Sequence, residues 1–207
     1  MESIVSFLKK NFILISAILL GVYFLGDIFS IIGYFGRINA AEITTGVLKL
    51  IIDVALIVLF ALVYLTKKFD VLKVLLVIML ISFAYGHFRG FPETFALFGG
   101  EGIFIAFAIF YLVLQVTVAS IFVLYIISLF SDKLRGIQNI IQIAALVVIP
   151  LALTCGVLMM IAYGQIEAPW MSYFAAIGNY FAFIPLMAIT YLVYFHGENK
   201  PAKKEAE

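Results

Sequence analysis

This chain reads as an all-α, polytopic membrane helix bundle, and three features of the sequence say so. Of its 207 residues, 65% are hydrophobic and only 12% charged, with a mean hydropathy of +1.19; soluble domains sit near half apolar and a quarter charged. Apolar runs close to the roughly 20 residues that cross a bilayer core recur along the chain. Positive charges gather at alternate connections between those runs, the pattern that orients membrane helices.

Six transmembrane helices are expected. The first covers Asn11 to Ser30, with a hydrophobic continuation to Phe35. Lys9 and Lys10 precede it, but it outruns a signal-peptide core and no small-residue cleavage site follows, so it is expected to be retained. The second runs from Val47 to Thr66 and a shorter third from Val74 to His87. The fourth, Gly102 to Phe130, is longer than a perpendicular helix needs, so tilt or projection is expected. Ile137 to Tyr163 and Trp170 to Phe195 supply the fifth and sixth. Residues 1–196 then form a single six-helix transmembrane domain, and 197–207 a short charged cytoplasmic tail expected to be disordered.

With six spans, Lys9, Lys10, Lys67, Lys68, Lys73, Lys133, Arg135, Lys200, Lys203 and Lys204 fall on one side, and only Arg37, Lys49 and Arg89 on the other. The N and C termini are therefore predicted to be cytoplasmic, and the protein to lie in a cell (plasma or inner) membrane. Asp27, Glu42, Asp53, Glu93, Glu101 and Glu167 give the opposite face an acidic balance.

Pro150 and Pro185 fall inside the fifth and sixth spans, where each removes a backbone hydrogen bond and predicts a bend. Small residues pair at four-residue spacing in Ala17/Gly21, Ser82/Gly86, Ala152/Gly156 and Gly178/Ala182, which permits close helix approach within the bundle. The two halves of the chain share no matching motifs, so an inverted repeat is not supported.

The polar residues inside the spans carry the functional reading. Asp27, Asp53, His87, Gln115, Thr154 and Asn179 each lie about 14–19 residues from the charged boundary of their own span, which is about 21–28 Å along a helix. One polar group per helix would thus share a layer in the outer leaflet. The stretch from Gly26 to Asp53 is its acidic part. Lys49 and Asp53, four apart, predict a local ion pair on one helix face, joined by Asp27 of the neighbouring span. Such a layer either lines an outward-facing cavity or consists of polar groups that reach interfacial water.

The loop His87–Glu101, HFRGFPETFALFGGE, mixes charges with phenylalanines and glycines and predicts an interfacial or re-entrant segment. His87 has no second histidine near it, which argues for a structural role over metal or haem ligation. The single cysteine, Cys155, excludes a disulfide framework or zinc cluster. No H-E-x-x-H, phosphate loop or G-x-S-x-G elbow occurs, so no enzyme activity, cofactor or nucleic-acid partner is expected. The sequence therefore predicts a transporter- or channel-like protein handling a small solute or cation through an outward-facing polar cavity. Its candidate path is Asp27, Lys49, Asp53, His87, Gln115, Thr154 and Asn179. The alternative is a non-catalytic accessory subunit of a larger membrane complex, its partner being another membrane protein; a homo-oligomer goes with the transport reading.

Overall fold

The computed structural model describes residues 2–35, 40–66, 68, 71–89, 91–100, 102–130 and 138–198, and every element among them is helical. In chain order these are α1 (Glu2–Phe35), α2 (Ala40–Thr66), α3 (Val71–Arg89), α4 (Phe91–Ala96), a 3-10 turn (Leu97–Gly99), α5 (Gly102–Phe130) and α6 (Gln138–Gln165). The last stretch divides into α7 (Trp170–Ala176), a π-helical turn (Ile177–Phe183) and α8 (Ile184–Glu198). Helices are what such apolar runs must form, because in lipid each backbone amide needs a partner within its own segment.

Five segments are long and apolar enough to cross a bilayer: Ser6–Ile32, Gly46–Thr66, Gly102–Ile121, Gln142–Gln165 and Trp170–Val193. They make this an integral, multi-pass membrane protein by length and composition. The sequence predicts six. The difference is α3, a helix of 19 residues whose apolar stretch is confined to Val74–Phe83. Between α3 and α5, α4 and the 3-10 turn take up the segment read as interfacial, with Phe95 and Phe98 exposed and their rings 6.2 Å apart. The tail begins inside α8, which continues through Glu198; residues 199–207 lie outside the described residues.

The last segment is the core. Of the most apolar stretch of Trp170–Val193, 83% is buried, against 22–33% for the other four. It is also the least apolar of the five, while α2, the most apolar, is the least buried. That ordering is what lipid imposes: the strongest apolar demand falls on helices that face acyl chains, and the centre is released from it. α1 packs along all three parts of the last segment, α6 does the same, and α3 meets α8. α5 leans on α6 and reaches the centre through its rings, with Phe107 and Tyr111 edge-on to Tyr180. α2 closes the arc between α1 and α3 and packs against nothing else among the described residues.

Two of the four small-residue pairs hold this core together. A Cβ at Gly178 would meet Gly26 Cα at 3.0 Å and the Tyr23 carbonyl at 3.1 Å, so α1 and the π turn cross backbone to backbone. A Cβ at Gly156 would overlap the ring of Phe181, which fills the groove of α6 that Gly156 opens. Gly21, by contrast, has nothing within 4 Å and faces outward with Ala17. Ser82 is half-buried, and the side-chain surroundings of Gly86 lie outside the described residues.

The prolines behave differently from each other. α6 runs unbroken through Pro150, which is exposed. Pro185 is the second residue of α8, two past the end of the π turn. Its ring would collide with the carbonyl four residues earlier, that of Phe181, and widening the preceding turn to a five-residue bond pattern moves that carbonyl aside. The bend predicted at Pro185 is thus expressed as a π turn.

Entry into the last segment is fixed by a tight cap on α6. Ala168 N–H donates to the Tyr163 carbonyl at 2.9 Å across Glu167, which holds a left-handed φ of 50°. That is a Schellman stop with glutamate where glycine is usual, and Pro169 then leads the chain into α7.

Candidate functional site

The site forms where α1 and α2 run side by side as an antiparallel hairpin. On α1, Ser16, Tyr23 and Asp27 are buried at seven- and four-residue intervals, one helical stripe. On α2, Asp53, Leu56 and Val63 are buried at three- and seven-residue intervals and face them. The seam is apolar at its far end, where the Phe12 and Phe60 rings sit 6.2 Å apart. Nearer the hairpin connection it becomes ionic.

Lys49 Nζ donates to Asp27 Oδ1 at 2.8 Å, an ion pair between the two helices. This corrects the expected Lys49–Asp53 pair. A helical side chain leans toward the N-terminus of its own helix. That lean favours a partner on the Ala40 side of Lys49, and its ammonium meets Asp27 across the seam. The order lysine-then-acid at four-residue spacing is also the weaker one within a helix.

Asp53 is left in an unusual position. It is 1% exposed, and neither carboxylate oxygen has a hydrogen-bond partner. Asp27 is 4% exposed and its Oδ2 is likewise unpartnered. Asp27 of α1 and Lys49 of its own helix act on Asp53 by charge, and the Tyr23 hydroxyl of α1 stands close enough to act on it as a donor, beyond 3.5 Å. Tyr23 in turn feels both acids, and its ring packs on Phe183, the last residue of the π turn, at 4.9 Å. Buried polar groups are almost always hydrogen-bonded, so three unpartnered carboxylate oxygens on two adjacent helices make this the candidate site.

The rest of the predicted layer does not gather here. Gln115 is buried on α5 and Thr154 half-buried on α6, and neither helix packs against α1 or α2 among the described residues. Asn179 is half-buried within the π turn, which does pack on α1. His87 belongs to α3, and its side chain lies outside the described residues, as does that of Glu42 on α2. A small cavity of about 10 Å³ lies elsewhere, among α3, α5, α6 and α8, with an apolar lining that includes Leu76, Val118, Val148 and Met187. Among the described residues, no group of three or more His, Cys, Asp or Glu is placed to hold a metal ion.

Sequence reasoning missed Tyr23, although its place four residues before Asp27 puts it on the same face. It also missed that Gly26, next to Asp27, pins this part of α1 to the π turn. The signal was available as Gly26 and Gly178 in two separate spans, without anything to say that they meet.

Fold and site together define a helical integral membrane protein with an ionisable cluster buried between its first two long helices. Comparison with protein-family models, with curated proteins and with solved structures gives no match. The functional reading therefore rests on the chemistry of the site.

Proposed function

We propose that this protein is transporter-like and moves a small solute or cation across a membrane, using the Asp27–Lys49–Asp53 cluster as its ion-handling site. The observation that carries this reading is the Asp53 carboxylate, buried in a membrane-competent helix with neither oxygen partnered. A carboxylate without a donor is costly in a low-dielectric interior. A group that recovers part of that cost by binding and releasing a cation has a reason to be there. The topology that goes with it has six crossings, α3 supplying the third, with both termini cytoplasmic. In that topology the α1–α2 connection and Asp27 lie toward the outer face.

The test is flux in reconstituted vesicles. Purified protein in liposomes, driven by a potassium diffusion potential, should carry proton or alkali-cation flux above that of empty vesicles, and Asp53→Asn should abolish it. Wild-type and D53N vesicles that both match empty ones, across pH and across alkali cations, refute the reading.

The alternative is an accessory subunit seated on another membrane protein. α2 favours it, since among the described residues it packs only against α1 and α3 and turns Ile51, Val54, Val58 and Leu65 outward. Purification in mild detergent separates the two: a stoichiometric partner lost on substituting those residues with polar ones supports the subunit.

A further inference from the structure

We infer that the ligand of this site is a single proton held at Asp53, and that Lys49 is the built-in cation that competes with it. The inference rests on reading the cluster as an ion-handling site and names what it handles.

Charge and reach decide the ligand. Facing Asp53 are Tyr23 and Asp27 from α1 and Lys49 from α2. α3 is the other neighbour of α2, and its described side chains, residues 71–72 and 74–83, include no titratable group. The cluster therefore holds two carboxyls and one ammonium. Lys49 is committed to Asp27 at 2.8 Å, so one negative charge remains, on a group with no hydrogen bond within 3.5 Å and no cation of its own. One monovalent cation balances it. A hard metal ion asks for six or more oxygens, and the cluster offers three unpartnered carboxylate oxygens beside an ammonium that repels a second cation. A proton needs only one oxygen and tolerates the ammonium.

The same geometry supplies an exchange. Lys49 precedes Asp53 by four residues on one helix, within reach of a rotamer change. When the proton leaves Asp53 to water, the ammonium faces two carboxylates and is drawn to the one with no other donor. Asp27, losing Nζ, then accepts a proton on its own oxygens. Before release and after uptake two carboxyls share one ammonium and one proton; between them the proton is in water and the cluster carries one net negative charge. Nothing else is consumed.

The rule predicted is that bound protons equal carboxyls minus ammonium groups. Infrared spectroscopy of the purified full chain at neutral pH counts them through the carbonyl stretch of protonated carboxylic acid. Wild type should show one such acid beyond the baseline of D53N. Asp27→Asn should also lose it, because Lys49 then turns to Asp53 and ionises it. Lys49→Met should double it. Asp27→Asn keeping the wild-type band overturns the sharing of Lys49, and a wild type equal to D53N overturns the proton. Loss of the wild-type band on adding sodium at constant pH overturns the identity of the ligand, since an alkali cation would then displace the proton. D27N and D53N are near-isosteric, so they decide the matter even if K49M fails to fold, and a shielded Cys155 certifies each variant as folded. An acid band without vesicle flux refutes the transport reading and leaves this assignment intact. Flux without the band does the reverse.

Discussion

Substituting Gly26 by alanine is the sharpest test of how the site is held. The new Cβ would lie 2.7 Å from Gly178 Cα and 2.7 Å from the Phe174 carbonyl oxygen. Ordinary carbon contacts begin near 3.5 Å, so α1 and the last segment must separate by about 1 Å. Both obstructing atoms are backbone, and neither can be moved by a rotamer change. Overpacking costs about 1–3 kcal/mol, here in the upper half of that range, which for a chain of this size lowers the melting temperature by roughly 4–10 °C. Gly21→Ala is the control, one turn and a half away on the same helix with nothing within 4 Å. It should melt at or slightly above wild type, because alanine gains up to about 1 kcal/mol over glycine in a helix. Cys155, the chain's single cysteine and fully buried, provides the readout through a thiol-reactive fluorogenic dye that reports unfolding. Gly178→Ala crowds the same contact from the other side, so G26A and G178A should be non-additive. If G26A and G21A melt together, α1 does not cross the π turn at these residues and the reasoning fails.

Other consequences can be checked alongside. In Gly156→Ala the nearest atoms to the new Cβ are those of the Phe181 ring, and Phe181 is half-buried, so the ring can swing and the cost should be about 1 kcal/mol; a loss as large as that of G26A on the same dye assay would contradict this. Pro185→Ala removes the ring that forces the π turn, so the variant should be no less stable yet lose flux as the Gly178 and Phe181 contacts rotate out of register. Unchanged flux at wild-type stability would show that the turn has another cause. Native Cys155 should resist membrane-permeant maleimides on the timescale that labels a cysteine placed at exposed Gly21, and rapid native labelling would mean that the α6 packing is open.

What hydropathy can see, it saw. The run from Gly102 to Phe130 is α5 to the residue, and α2 ends at Thr66 where the apolar run ends. Length and apolarity act locally, and lipid asks for little else. The acids of the hairpin were legible for the same reason, since each is an exception inside its own run. Partners were not legible. Lys49 takes Asp27 rather than Asp53 because of the direction in which a helical side chain leans and because of a neighbour twenty-two residues away. The central place of Trp170–Val193 was hidden because, in a bilayer, apolarity does not mark the inside. The clue ran the other way: the least apolar span is the buried one. The π turn follows from Pro185 only once Gly178 and Phe181 are known to be gripped from two sides, and that is tertiary knowledge.

The position of the last segment also bears on how the chain is made. Synthesis runs from the N-terminus, and domains generally assemble in that order. Here α1, α2, α5 and α6 are made before the last segment that α1 and α6 pack along. Until Trp170–Val193 arrives, Gly26 has no Gly178 against it and Tyr23 no Phe183. The hairpin carrying Asp27 and Asp53 then has its paired lysine but lacks its wall. The nascent protein is thus a sheath waiting for its axle. A ribosome that pauses before residue 170 should leave an intermediate dependent on membrane insertases or chaperones and open to intramembrane quality control.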